Sequence, residues 1–302
     1  MRLGVAATPE VAVPCLEWLL TTEHELALII TQPDKPSGRG RAMKQSAVAD
    51  WADQHKVKTV KPLNSLDLKG QIEDLDCVIT IGYGVLLPQA ILELPKFGFI
   101  NLHFSLLPLY RGAAPAQRAL QNGDLITGVT VFQLEKGMDT GPIYSQSSVD
   151  IDPSWRSSEL LASLSQQGPI VLQEALLKIS QGISPVAQSG QSSLAPKISK
   201  EEARLDFSVH AKDVVNAVRA FTYEPGAWTL WKEEPFKITS AVLANNADIP
   251  MGAVITSEKS VYVGCADQSA IELVTVVPAG KKEMKAIDWA RGARLVGGEF
   301  FG

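Results

Sequence analysis

The sequence predicts an α/β chain in which a doubly wound, mostly parallel sheet is followed by a smaller β-barrel. Three observations carry that prediction. Through the first ~180 residues, short apolar runs of strand length alternate with helical patterns, as in strands joined by crossover helices. Residues 180–196 then break into a polar stretch, Ser-Gln-Gly-Ile-Ser-Pro and later Gln-Ser-Gly-Gln-Ser-Ser, without periodicity. Beyond it come about five short strand-like runs at near-regular spacing, which suits a small barrel.

In chain order, Arg2–Ala6 reads as an apolar strand, and Pro14, Leu16, Trp18 and Leu19 follow at helical spacing. Glu25–Thr31 holds Leu-Ala-Leu-Ile-Ile, a second buried strand. Ser46 reads as the cap of a helix over Ser46–His55, with a short strand at Val57–Val60. Cys77–Ile81 and Phe99–His103 are strands, with a helix near Pro88–Glu93 between them. Pro115–Gln121 is helical, Gly128–Leu134 and Ile143–Val149 are strands, and Ser157–Ile179 carries a long helical pattern. Later, a helix at Val209–Phe221 precedes strands near Ala227–Trp231, Phe236–Leu243, Ala253–Thr256, Val261–Gly264 and Ile271–Val277. The predicted organisation is a Rossmann-like domain over 1–183, a linker over 184–203 and an OB-like barrel over 204–302.

Composition narrows the class. With 45% hydrophobic and 20% charged residues among 302, the chain has the make-up of a soluble globular protein. No apolar run approaches the ~20 residues that span a bilayer, so no membrane partner is expected. Met1-Arg2-Leu3-Gly4-Val5 leads directly into strand-like sequence without a leader pattern. Cys15, Cys77 and Cys265 are odd in number and far apart, which predicts buried thiols in the cytoplasm and no metal site. A monomer is expected. The net charge of −5 gives no whole-molecule attraction to nucleic acid, so any polyanion contact must come from local basic patches.

Several chemistries are not signalled. The first strand runs into Ala6-Ala7-Thr8-Pro9, not a glycine-rich dinucleotide loop, and no Walker loop or Gly-x-Ser-x-Gly elbow occurs. What does stand out is Asn101-Leu102-His103-Phe104-Ser105-Leu106-Leu107-Pro108, at the end of a buried strand. Residues two apart on a strand share a face, so a carboxamide and an imidazole are aimed together beyond its tip. In doubly wound sheets ligands bind at those carboxyl ends. Asp139, between Gly137 and Gly141, adds a carboxylate on a turn whose glycines let backbone approach a ligand closely. Such a set suits acyl transfer to an amine. Asn101 can donate to the developing oxyanion, His103 can take and return the proton, and Asp139 can fix its tautomer and raise its basicity. Ser105 carries no independent sign of being a nucleophile, and none is needed if the acyl donor is already activated.

Asn101-x-His103-x-Ser105-Leu106-Leu107-Pro108, Tyr110-Arg111-Gly112-Ala113-Ala114-Pro115, Gly128-Val129-Thr130 and Asp139-Thr140-Gly141 together resemble the folate-dependent formyltransferase superfamily. Ala6-x-Thr8-Pro9, Thr31-Gln32-Pro33-Asp34-Lys35-Pro36-x-Gly38-Arg39-Gly40 and Lys197-Ile198-Ser199-Lys200-Glu201-Glu202-Ala203-Arg204-Leu205-Asp206 narrow the likeness to its branch that acts on methionyl-tRNA. The resemblance spans nearly the whole chain. It implies 10-formyltetrahydrofolate as donor, the amino group of methionyl initiator tRNA as acceptor, and Asn101, His103 and Asp139 as the catalytic residues. It places the folate site on Ser105, Leu106, Leu107 and Pro108, with the pterin near Gly82, Tyr83, Gly84 and Leu86 and the turn before Asp139. Two departures are visible. Phe104 stands where many relatives carry a small residue, and Ala7 stands where a glycine is usual in the first turn.

Two basic segments are candidate tRNA contacts. Lys35 to Lys44 holds Lys35, Arg39, Arg41 and Lys44 with no acidic residue, and its glycines and proline predict a mobile loop. It is long for a strand-to-helix connection, which usually takes about 2–6 residues. The second segment is Lys281, Lys282 and Lys285, continuing to Arg291 and Arg294. Each also has a bland reading as a solvated surface. Other superfamily chemistry remains open, with an amino-sugar nucleotide or glycinamide ribonucleotide as acceptor or with hydrolysis of the folate, as does a non-catalytic RNA-binding protein on an inherited fold. The basic loop and Arg111-Gly112-Ala113-Ala114-Pro115 favour tRNA.

Overall fold

A computed structural model describes residues 1–37, 42–245, 248–295 and 297–302. The chain divides into two compact units: Met1–Pro115, Ile126–Asp150 and Leu161–Pro196 in one, Ala116–Leu125, Ile151–Leu160 and Lys197–Gly302 in the other. Residues 184–203 are thus shared out, those to Pro196 in the first unit and those from Lys197 in the second.

The strands of the first unit are β1 (Arg2–Ala7), β2 (Glu25–Ile30), β3 (Lys35–Ser37), β4 (Ala42–Lys44), β5 (Thr59–Val60), β6 (Cys77–Ile81), β7 (Phe99–His103), β8 (Ile126–Gln133) and β9 (Ile143–Asp150). Among the described residues they form a seven-stranded sheet, β5-β2-β1-β6-β7-β8-β9, with β3 and β4 paired separately. The first five strands of that order run parallel, while β8 and β9 run antiparallel to their neighbours. The order reverses between β1 and β6, which is the kind of switch point where such sheets bind ligands.

Burial explains the parallel strands. All five residues of β6 are buried, which is how a strand covered on both faces reads in sequence. The edge strand β9 has only Ser145 fully buried, and it spares just one face. The helices are α1 (Val13–Leu19), α2 (Ala47–His55), α3 (Gln89–Leu92), α4 (Pro115–Asn122) and α5 (Ser157–Ser180). Ser46 caps α2, its Oγ accepting from the Ala49 amide at 3.0 Å, and Lys56 closes it in the left-handed region. Ala7 is the last residue of β1, fully buried and paired with Ile81. It therefore belongs to the strand and not to the turn after it.

The predicted loop after β2 is also different. Its two ends pair as an antiparallel ribbon, Lys35 with Lys44 and Ser37 with Ala42. Pro36 lacks an amide hydrogen, and a two-stranded ribbon tolerates that because each strand is an edge. Arg39 and Arg41 lie outside the described residues.

The second unit contains α6 (Ala211–Phe221) and strands β10 (Trp228–Trp231), β11 (Glu234–Leu243), β12 (Ala253–Thr256), β13 (Val261–Gly264), β14 (Ala270–Val277), β15 (Met284–Lys285) and β16 (Glu299–Phe300), with α7 (Ala286–Ala293) between the last two. The sheet runs β10-β11-β14-β13-β12-β16, with β15 on β14. Just past β16 the Gly302 amide donates to the Leu230 carbonyl of β10 at 3.3 Å, so the sheet nearly closes on itself. That is the anticipated OB-like barrel. Helix α7 and the two short final strands were not anticipated, because their apolar positions are few and interrupted by charges.

Phe236, Trp231, Trp289 and Phe301 form an aromatic cluster in the second unit. The Phe236 ring lies 4.5 Å from Trp289 and 5.1 Å from Phe301, and Trp231 meets Trp289 edge-on at 5.1 Å. Arg219 spends its guanidinium on the carbonyls of Trp155 and Asp152. All three cysteines are buried, and burial pushes the Cys15 and Cys77 thiols up to about 12. Among the described residues no helix is long and apolar enough to cross a membrane.

Because Phe236 is 1% exposed at the centre of this cluster, Phe236→Ala leaves a cavity that rigid rings cannot refill. Denaturant unfolding is expected to show a loss of about 3–5 kcal/mol. A loss below 1 kcal/mol would mean the aromatic cluster is not what holds the barrel.

Candidate functional site

β7 is paired on both edges, with Thr80 of β6 opposite Asn101 and Thr130 of β8 opposite His103. Its tip is therefore fixed, and Asn101 and His103 leave it on one face. The His103 ring is buried, with the edge of Phe132 against it at 6.3 Å. Its Nε2 lies 2.9 Å from the Tyr110 carbonyl. A carbonyl only accepts, so the ring carries its hydrogen on Nε2 and leaves Nδ1 bare in the neutral form.

Nδ1 faces the Asp139 carboxylate, Oδ2 standing 3.9 Å away. That is an ion-pair distance, too long for a hydrogen bond. The structure thus differs from the hydrolase-like arrangement anticipated: Tyr110, not Asp139, sets the tautomer. Burial lowers the imidazole's proton affinity below its ordinary value, and Asp139 and the Tyr110 carbonyl push the other way. Asp139 itself sits at φ 50°, and its Oδ2 accepts from the Gly112 amide at 2.7 Å. Asn101 is half-buried, and no hydrogen bond among the described residues ties its carboxamide.

The glycines around Asp139 do something other than anticipated. A Cβ on Gly141 would stand 1.8 Å from the Gln133 carbonyl oxygen, and one on Gly137 would stand 2.0 Å from Thr140 Oγ1. They let the turn pack closely on the protein's own backbone and side chains.

The segment after β7 is tightly held. Ser105 is buried, and its hydroxyl donates to the Leu109 carbonyl at 2.7 Å. Thr130 Oγ1 donates to the Ser105 carbonyl at 2.6 Å and accepts from the Leu107 amide at 3.2 Å. Gln146 Nε2 reaches both Thr130 Oγ1, at 2.7 Å, and the Leu107 carbonyl, at 3.1 Å. Leu106 and Pro108 are partly exposed, Leu107 and Phe104 buried. Across the switch point, Gly82 and Gly84 hold left-handed conformations, Tyr83 is buried between them and Leu86 is 87% exposed. The Tyr83 carbonyl accepts from Gln32 Nε2 at 2.7 Å and from Thr8 Oγ1 at 3.3 Å.

Sequence reading missed the groups that arrange this site. The Tyr110 carbonyl is main chain, and Gln188 comes from the polar stretch read as linker. Gln188 Nε2 donates to the carbonyls of Asp139 and Gly141, each at 2.8 Å, while its Oε1 accepts from Arg111. Ser193 and Ala195 of the same stretch pair with the Tyr110 and Arg111 main chain.

The family model for formyl transferase matches residues 4–176, and the model for the formyl transferase C-terminal domain matches 197–294. The methionyl-tRNA formyltransferase of Streptomyces coelicolor is 41% identical over 310 residues, covering 100% of both chains. The chain belongs to the methionyl-tRNA formyltransferase family. Two solved folds are similar at low identity. One is the methionyl-tRNA formyltransferase from Clostridium thermocellum, with TM-score 0.57 and 13% identity over 91% of this chain and 99% of that one. The other is HypX from Aquifex aeolicus in complex with tetrahydrofolic acid, with TM-score 0.65 and 17% identity over 96% of this chain and 46% of that one.

Of the basic residues singled out in this family member, Lys35 and Lys44 sit exposed at the base of the β3–β4 ribbon, Lys35 Nζ donating to Gln32 Oε1 at 2.5 Å. Lys281, Lys282 and Lys285 are exposed in the second unit, ahead of α7. Since Asp139 favours the protonated imidazole, Asp139→Asn is expected to lower the His103 titration midpoint further, read from its ring resonances by NMR. An unmoved or raised midpoint would show that the carboxylate does not act on the ring.

Proposed function

We propose that this chain transfers the formyl group of 10-formyltetrahydrofolate to the α-amino group of methionyl initiator tRNA, giving N-formylmethionyl-tRNA for translation initiation. One observation carries the reading: a buried imidazole with Nε2 anchored and Nδ1 facing a carboxylate, beside a free carboxamide on the same strand tip. Full-length kinship with an enzyme named for that activity supports the acceptor, and the tetrahydrofolic acid bound by the similar HypX fold supports a folate donor.

The amine attacks the formyl carbon, and Asn101 donates to the oxygen as it turns anionic. Nδ1 of His103 takes the proton of the incoming nitrogen, and Asp139 faces the imidazolium so formed. The carbon–N10 bond then breaks, and the same proton passes to N10. A nitrogen–carbon bond forms as another is lost, with no redox partner and no metal in the balance.

In this reading residues 1–183 are the catalytic domain, 184–203 the linker and 204–302 the tRNA-binding domain. Ser105, Leu106, Leu107 and Pro108 line the folate on one side, with Gly82, Tyr83, Gly84 and Leu86 on the other. Lys35, Arg39, Arg41 and Lys44 meet the acceptor end of the tRNA, and Lys281, Lys282 and Lys285 track its backbone. A monomer in the cytoplasm suits both the substrate and the buried thiols.

The deciding assay offers 10-formyltetrahydrofolate with methionyl initiator tRNA, and separately with an amino-sugar nucleotide. Formylation of the tRNA is expected; transfer only to the sugar would refute the reading. His103→Ala is expected to lower kcat by ~10²–10⁴ with tRNA affinity unchanged. Replacing Arg39 and Arg41 together by Ala is expected to weaken tRNA binding and reduce its salt slope by roughly two. Wild-type salt dependence in that double variant would remove the ribbon from the tRNA interface.

A further inference from the structure

The turn that presents Asp139 is held from outside its hairpin as well as from within, where Thr140 Oγ1 donates to Glu135 Oε1 at 2.7 Å. Asp139 sits at φ 50°, a conformation that costs an L-residue about 1 kcal/mol or more unless its surroundings impose it. The carbonyls on either side of Thr140, those of Asp139 and Gly141, both accept from one side-chain amide, that of Gln188, 49 and 47 residues further along the chain.

The other end of that side chain is equally occupied. Gln188 Oε1 accepts from Arg111 Nη2 at 2.6 Å and from Nε at 3.2 Å. A glutamine has two amide hydrogens and one carbonyl oxygen, and here all three are engaged. Arg111 stands between the two residues that hold the reacting groups. Tyr110 before it accepts from His103 Nε2, and Gly112 after it donates to Asp139 Oδ2. One side chain therefore ties the segment carrying the imidazole's anchor to the turn carrying the carboxylate.

We infer that Gln188 is a positioning residue of the formyl-transfer site, holding the Asp139 turn against Tyr110-Arg111-Gly112 so that the carboxylate stays opposite Nδ1 of His103. Its hydrogen bonds go to Arg111 and to the carbonyls of Asp139 and Gly141, not to the imidazole, the carboxylate or the Asn101 carboxamide. The 3.9 Å separation between Nδ1 and Oδ2 is set by two chain segments with no covalent link nearer than the whole of α4 and β8; the Gly112 amide ties them at the carboxylate, and Gln188 adds a strut at the main chain of the turn. A segment that composition reads as a polar linker thus completes the machinery. The inference rests on the reading under Proposed function for its kinetic consequence, though its geometric half stands apart from it.

Gln188→Met keeps the volume and removes every hydrogen bond. Gln188→Glu keeps the acceptor for Arg111 and sets a second oxygen against the carbonyls of Asp139 and Gly141. The ionisable group facing His103 among the described residues is Asp139, and the other contacts named are the Tyr110 carbonyl and the Phe132 ring. Loosening the turn weakens the attraction for the proton. In Gln188→Met the His103 titration midpoint, followed by NMR among the four histidines, is expected to fall. The acid limb of kcat/KM for formylation is expected to move to lower pH with it.

Both variants are expected to lower kcat roughly tenfold to a hundredfold, with KM for folate and tRNA within about twofold. A purely structural role would reduce the folded fraction and scale the rate without moving the midpoint or the limb. If Gln188→Met does not fold, Gln188→Glu decides through its kcat per folded molecule, which a purely structural role would leave at the wild-type value. An unchanged His103 midpoint in folded Gln188→Met, or wild-type kcat in either variant, overturns the inference. Wild-type enzyme that fails to formylate methionyl-tRNA refutes the functional reading instead, and the NMR titration still judges Gln188.

Discussion

The hydrogen bond from His103 Nε2 to the Tyr110 carbonyl constrains everything else at this site. A main-chain carbonyl cannot donate, so the bond removes one of the ring's two tautomers and commits Nδ1 to whatever proton transfer occurs. In hydrolase triads the carboxylate binds the N–H of the resting base. Here it faces the nitrogen that is bare in the resting base. A carboxylate opposite a lone pair gives the neutral ring nothing, but it attracts the ring once the proton has arrived. In the proposed reaction the contribution of Asp139 would therefore come as charge develops, which is where an interaction accelerates a step instead of merely tightening binding.

The same economy recurs around the switch point of the sheet. One carbonyl, that of Tyr83, collects donors from Thr8 after β1 and from Gln32 after β2. Gln32 also accepts from Lys35, at the foot of the basic ribbon. The loop proposed to meet folate and the ribbon proposed to meet tRNA thus share one amide side chain. On the far side of β7, Thr130 and Gln146 hold Ser105 and Leu107 from within the antiparallel strands. The antiparallel strands β8 and β9 give the mixed sheet its reason, since the residues that fix the segment after β7 come from them.

Most of the fold was legible because its strands are buried on both faces. Cys77–Ile81 and Phe99–His103 have the same limits in sequence and structure, since Val78-Ile79 and Phe99-Ile100 begin short β-prone segments that Gly82 ends in the first case and Ser105 soon after in the second. The cap at Ser46 was legible for the same local reason. What escaped was non-local or carried by the main chain. Neither the Tyr110 carbonyl nor the Gly112 amide has a side chain to announce it. Gln188 is an unremarkable glutamine until the fold brings Arg111 within 2.6 Å of it. The glycines beside Asp139 were visible, but their purpose was not, because whether a missing Cβ makes room for a ligand or for Gln133 depends on contacts that spacing does not encode. In the barrel, α7 escaped because its core contribution is one large residue, Trp289, set among charges.

With Nε2 engaged, the proposed reaction must bring both nitrogens to the same ring atom. The tetrahedral intermediate carries the incoming amine and N10 on one carbon, so a single Nδ1 can serve each in turn without a second acid. That arrangement asks for a particular balance in the ring. A base that is too weak leaves the amine's proton in place, and one that is too strong keeps it from N10. Burial and Asp139 pull His103 in opposite directions, burial against the charged form and the carboxylate toward it. Remove the carboxylate and the ring accepts poorly; open the ring to water and it holds its proton longer than the departing nitrogen can use. In the proposed reaction, where the Asp139 turn sits therefore matters as much as the imidazole itself.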